Sequence, residues 1–191
     1  MNRESDITPY SDLSPKIVRV SANLKQLGRI GFWLQIVLGV ISGVLLLVAG
    51  ASLFGSQNKT PGIELGIFCA FCGVILLAVG VIFSFRYIQI ARKIQSPNPN
   101  NRPKKTATIK IIRYGLIANL AGMLLSILGA EALAGIILVK TLTLPQVTLG
   151  SNPTQFVNSV DLLIVQANTN TIAAHFSGIV TSLILLNRIT K

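Results

Sequence analysis

The chain is organised by four long apolar stretches separated by shorter polar ones. Residues 32–54, 63–85 and 115–139 are almost unbroken runs of Leu, Ile, Val, Ala, Gly and Phe. A fourth stretch, 160–186, is equally long but interrupted near its middle by "QANTNTIAAH" (166–175). About 20 apolar residues cross a hydrocarbon core as a helix, so each stretch is long enough to span. A soluble bundle would need polar faces on all four helices, and the first three stretches have none. The pattern therefore predicts an all-α polytopic membrane protein with four transmembrane helices.

The polar segments carry their own signals. Residues 1–13 read as a disordered tail. Ser14–Pro15 pairs a capping side chain with a proline suited to the first helical turn. Ile17, Val20, Leu24, Leu27 and Gly31 follow at helical spacing, with Lys16, Arg19, Lys25 and Arg29 largely off that line. This predicts a short amphipathic helix over 14–30, either lying on the cytoplasmic leaflet or packed on the central loop. The loop between spans two and three contains "SPNPNNRPKK", too rich in Pro and Asn for regular structure. Residues 140–159 form the only sizeable connection on the opposite side.

Glycine recurs at a spacing of seven: Gly66, Gly73 and Gly80 in span two, Gly115, Gly122 and Gly129 in span three, with Gly39, Gly43 and Gly50 in span one. Seven residues are two helical turns, so each set is a narrow stripe. Glycine is a poor helix former, but in a membrane it lets helices approach closely. The stripes are read as helix–helix seams at shallow crossing angles.

Composition agrees and charge adds direction. The chain of 191 residues is 51% hydrophobic and 12% charged, with a mean hydropathy of +0.64. Of its 17 basic residues, 15 fall before span one, between spans two and three, or after span four; Lys59 and Lys140 are the other two. The positive-inside rule then puts both termini and the central loop in the cytoplasm. The net charge of +11 is thus a mark of topology and of attraction to anionic lipid, and it argues against a nucleic-acid partner. "AGA" at 49–51 resembles a signal-peptidase site, but the apolar run before it is too long for a signal peptide.

Candidate chemistry concentrates in span four. Asp161, Asn168, Thr171, His175, Gly178 and Ser182 fall on one helical face, with Gln166 and Asn170 to its sides. A polar stripe at this depth must face protein or water. It serves either as hydrogen-bonding glue between helices or as a transport site. His175, the single histidine, is the best candidate for a titrating or metal-binding group. Glu131 is an ionisable residue inside span three and a functional candidate by default, with His175 or the amides as its natural partners. Cys69 and Cys72 lie on one face of span two without a second pair, which suits packing better than metal binding. Gln35 reads as a hydrogen bonder at a helix interface. No convergent nucleophile, base or phosphate-binding loop is present, so no enzyme and no cofactor is expected.

The segments "GFWLQIV" (31–37), "SFRYIQI" (84–90), "GLIANLAGMLLSILGAEALAGIILVK" (115–140) and "DLLIVQANTNTIAAHFSGIVTSLILL" (161–186) resemble a four-helix family of the chloroplast inner envelope, with cyanobacterial members of unknown function. That family is described both as a component of the Tic protein-import translocon and as an iron permease. The resemblance implies a structural or assembly subunit that associates with other membrane proteins or itself, or alternatively an oligomeric metal permease. It is most specific at Gln166, Asn170, Thr171, His175 and Gly178. Glu131 and the Cys69–Cys72 pair depart from the plant pattern, which leaves His175 the better candidate. With no long transit-type leader, the resemblance implies the cyanobacterial form, in a plasma or thylakoid membrane.

Overall fold

In a computed structural model, residues 15–54, 63–96, 98–143 and 159–190 are described; the expected N-terminal tail and most of the 140–159 connection lie outside these. Four α-helices carry the chain: α1 (Pro15–Phe54), α2 (Ile63–Ile94), α3 (Lys105–Thr143) and α4 (Ser159–Thr190). All four are long and apolar enough to cross a membrane. Each contains one apolar stretch and extends beyond it. α1 begins at Pro15, the position its capping signal marks.

The separate interfacial helix expected over 14–30 is not formed. α1 runs unbroken from Pro15 to Phe54. The reason is packing. Leu24 is covered by Tyr87, Ile90 and Ala91 of α2, Ile112 of α3, and Leu185 and Ile189 of α4. Ser21 Oγ donates to the Ala91 carbonyl at 2.9 Å. The apolar face of this segment is thus buried on the extensions of the neighbouring helices. The loop beyond α2 is short and tied down. A 3-10 turn (Pro99–Asn101) follows Asn98, whose side-chain oxygen accepts from Asn100 N at 3.0 Å, and Arg102 Nε donates to the Ser96 carbonyl at 3.1 Å.

The helices form a square in chain order. α1 packs on α2 and α4, α3 packs on α2 and α4, and α2 also touches α4 across one diagonal. The buried positions are organised by an alternation of four and three residues. In α2 they include Gly66, Ala70, Gly73, Leu77, Gly80, Ser84, Tyr87 and Ala91; in α3 they are Thr108, Ile112, Gly115, Asn119, Gly122, Ser126, Gly129 and Leu133. In α4 the column Asp161–Asn168–His175–Ser182 pairs with Ile164–Thr171–Gly178–Leu185. A repeat of 3.5 residues keeps such a seam facing its partners only in a shallow left-handed bundle. The glycine stripes are one column of this repeat in α2 and α3. In α1 the buried column is Ser21, Gly28, Gln35, Ser42 and Ala49. Gly43 and Gly50 lie one residue beside it, and a Cβ on either would meet nothing within 4 Å, so neither is a seam residue. A Cβ on Gly39 would stand 3.0 Å from the Leu77 side chain.

Candidate functional site: a polar ring at the centre of the bundle

The centre is built from one residue type per need. Ser84 Oγ of α2 donates to Gln35 Oε1 of α1 at 2.8 Å, and Gln35 Nε2 donates to Asn119 Oδ1 of α3 at 2.7 Å. Asn119 Oδ1 also faces His175 Nδ1 of α4 at 3.1 Å, and His175 Nε2 lies 3.1 Å from the Gly73 carbonyl, back on α2. The contacts close a ring through all four helices and bridge both diagonals of the square. Asn119 Nδ2 donates to the Gly115 carbonyl at 2.8 Å, and a carbonyl only accepts, so the amide's oxygen end is fixed toward Gln35 and His175. Gln35, Asn119 and His175 are each at most 1% exposed.

The glycines make room for this ring. A Cβ on Gly122 would collide with the His175 imidazole, and one on Gly178 with the Gln35 amide and, at 2.6 Å, with Asn119 Oδ1. A Cβ on Gly80 would stand 2.7 Å from Asn119 Oδ1, one on Gly73 would strike the Ser126 hydroxyl, and one on Gly115 the Tyr87 hydroxyl. Close backbone approach is marked where a Cβ on Gly66 would stand 3.3 Å from the Gly129 carbonyl and one on Gly129 3.1 Å from the Gly66 carbonyl, and again where a Cβ on Gly28 would stand 3.4 Å from the Ile88 nitrogen. Gly73, Gly80, Gly115, Gly122 and Gly178 are instead slots for polar side chains from other helices. Above and below the ring, the same pairing continues: Tyr87 OH lies 3.2 Å from Ser182 Oγ, and Ser42 Oγ donates to the Ala167 carbonyl at 3.0 Å.

The residues singled out in the sequence divide. His175 is in the ring. Thr171 is buried one turn away and satisfies itself on the Ala167 carbonyl at 2.8 Å. Asn168 is buried, 1% exposed, and neither atom of its amide has a hydrogen-bond partner. Asn170 is half-buried on the flank of α4, where its Oδ1 accepts from Gln166 at 3.2 Å, so it does not join His175. Glu131 is exposed on the outer face of α3 and does not meet His175 or the amides. The 3.5-residue repeat explains this: Gly129 and Leu133 hold the inward positions, and the residue midway between them points away. Cys69 and Cys72 are half-buried free thiols, Cys69 with its Cβ 3.0 Å from one built on Gly129. Asn119, Ser84 and Ser126 escape the sequence reading. The signal for them was present as the second column of the heptad, four residues after each glycine.

The ring suits structure better than ligand binding. Both imidazole nitrogens are directed at oxygen acceptors 3.1 Å away, and a neutral ring donates to one of them at a time. Among the described residues no three His, Cys, Asp or Glu side chains are grouped to hold a metal.

The features define an integral membrane protein: four apolar helices around a polar core that is tied to itself, with Trp33, Leu47, Phe68 and Leu142 among the large side chains exposed outward. The chain belongs to the family described as "Protein of unknown function (DUF3611)", which matches residues 14–190. It is also similar to "Protein TIC 21, chloroplastic" of Arabidopsis thaliana, with 30% identity over 197 residues. That match covers 99% of this chain and 64% of the relative, so the chain spans a little under two thirds of the relative's length. No solved structure matches the chain.

Proposed function

We propose that this protein is a non-catalytic structural or assembly subunit of a larger membrane complex, of the translocon kind that its similarity to the TIC 21 protein suggests. The observation that carries this reading is the closed ring Ser84–Gln35–Asn119–His175–Gly73. It uses the polar groups at the bundle's centre to lock four helices together, leaving an outer surface of apolar side chains for lipid or neighbouring subunits. A permease within one bundle would need polar groups facing a path, and here they face each other. The basic ends of the helices point to a cytoplasmic placement of both termini and of the α2–α3 loop.

The decisive variant is His175→Gln. Glutamine keeps a hydrogen-bonding side chain but neither titrates near neutral pH nor replaces imidazole as a ligand. In the assembly reading the protein stays folded and in its complex, and iron accumulation in cells or proteoliposomes is unchanged. Lost uptake with an intact complex would overturn the proposal in favour of a permease. Topology is checked separately by labelling from outside: a thiol placed at Ser151 reacts and one placed at Asn98 does not.

A further inference from the structure

The outer face of the bundle is not uniformly apolar where it leaves the membrane. Leu65–Phe85 is a run of 21 residues without a charge, and Arg86 is the first charge after it. About 20 residues cross the hydrocarbon core, so Arg86 stands at headgroup level. Arg86, Gln89 and Lys93 follow at i, i+3 and i+7, which is one face of α2. Together with Ile90 and with Ile111 of α3 they line a cavity of about 180 Å³ in the groove between the two helices. Lys93 also belongs to an adjoining cavity of about 390 Å³ with Arg92, Ser96 and Asn101. The guanidinium of Arg86 lies 5.9 Å from the centre of the Phe83 ring, one turn toward the membrane.

We propose that this groove is a binding site for one anionic glycerolipid, whose phosphate or sulfonate headgroup sits between Arg86 and Lys93 and whose acyl chain continues down the α2–α3 groove. Three observations select this occupant. The two cations line the cavity together with Ile90 and Ile111, a polar–apolar combination that suits an amphiphile better than a free anion. Toward the bilayer the same register on the two helices is apolar: Val79 lies seven residues before Arg86, Ala118 seven after Ile111, and both are half-buried. Finally, the site is at the depth where a lipid already places its phosphate. Basic pockets between transmembrane helices on the cytoplasmic side are where anionic headgroups bind.

The test is native mass spectrometry of the full chain released from micelles containing phosphatidylglycerol or phosphatidylcholine. The parent is expected to retain phosphatidylglycerol roughly tenfold better than phosphatidylcholine, and Arg86→Gln/Lys93→Gln to lose that preference. Lys104→Gln/Lys105→Gln removes the same charge at the same end but outside the groove, and is expected to keep it. Equal loss in both double variants would overturn the site in favour of diffuse attraction. Full displacement by millimolar inorganic phosphate would show an anion site rather than a lipid site, and would also overturn it. Should the first double variant not purify folded, Lys93→Gln alone reads the same comparison, because Lys93 is exposed and its loss is expected to reduce the preference about threefold or more; an unchanged preference there counts against the site.

Discussion

His175 and Asn168 occupy the same column of α4, seven residues apart, and both are buried, at 0% and 1% exposure. One sets each ring nitrogen 3.1 Å from an oxygen and donates its N–H to one of the two; the other has a partner for neither amide atom. The difference lies in what the facing helices offer at each level. At His175 they supply Asn119, Gln35 and an open slot at Gly122. One repeat further along is the apolar layer built from Leu46, Ala49, Ala70, Leu133, Ile164 and Ala167. A buried polar group left unpaired costs about 1–3 kcal/mol, whereas a satisfied interhelical bond in a membrane contributes about 0.6 kcal/mol on average. Two side chains that look alike in sequence are therefore opposite in energetic sign.

The comparison is most severely strained by filling the slot. Gly122→Leu drives a branched side chain into the His175 ring. It is expected to cost about 3 kcal/mol or more and to leave little monodisperse protein after extraction. A variant that extracts and unfolds like the parent would show that the ring is not packed as described. Next in size is His175→Ala, which removes the side chain facing the Asn119 oxygen and leaves a gap opposite Gly122. A loss of about 2–3 kcal/mol is expected in a detergent unfolding titration, with His175→Gln recovering part of it. Asn168→Leu has the opposite sign. It replaces an unpaired amide by an apolar group of similar size and is expected to stabilise by about 1 kcal/mol. A clear loss instead would reveal a water or a subunit that pairs with Asn168. The smallest effect belongs to Gly43→Ala, which fills open space and is expected to shift stability by no more than about 0.5 kcal/mol.

α4 shows why the sequence could be read so far and no further. It is the most polar of the four spans and also the most buried, with 44% of its most apolar window inside the bundle against 22%, 28% and 22% for α1, α2 and α3. Its polarity is therefore tolerated because neighbouring helices, and not lipid, surround it. The face carrying Asn168, Thr171 and His175 was legible from helical spacing alone. The partners were not, because Gln35, Ser84 and Asn119 lie on three other helices, each among only a few scattered polar residues in an apolar run. Glu131 was misplaced for a related reason: its depth is a property of the sequence, but its direction depends on which column of α3 faces inward.

What the sequence determined by itself was the number of spans, where each helix lies, the seven-residue glycine columns, and the concentration of basic residues at one end. Each depends on local composition or on a period along one helix, which a membrane enforces by length and hydropathy. The tertiary structure alone decided that residues 15–30 continue α1, that the glycines receive polar side chains more often than backbones, and that His175 is held while Asn168 is not. These follow from rotation and register between helices. Neither is encoded in a single span, because hydrocarbon accepts every apolar face alike and only contact with another helix tells one face from the next.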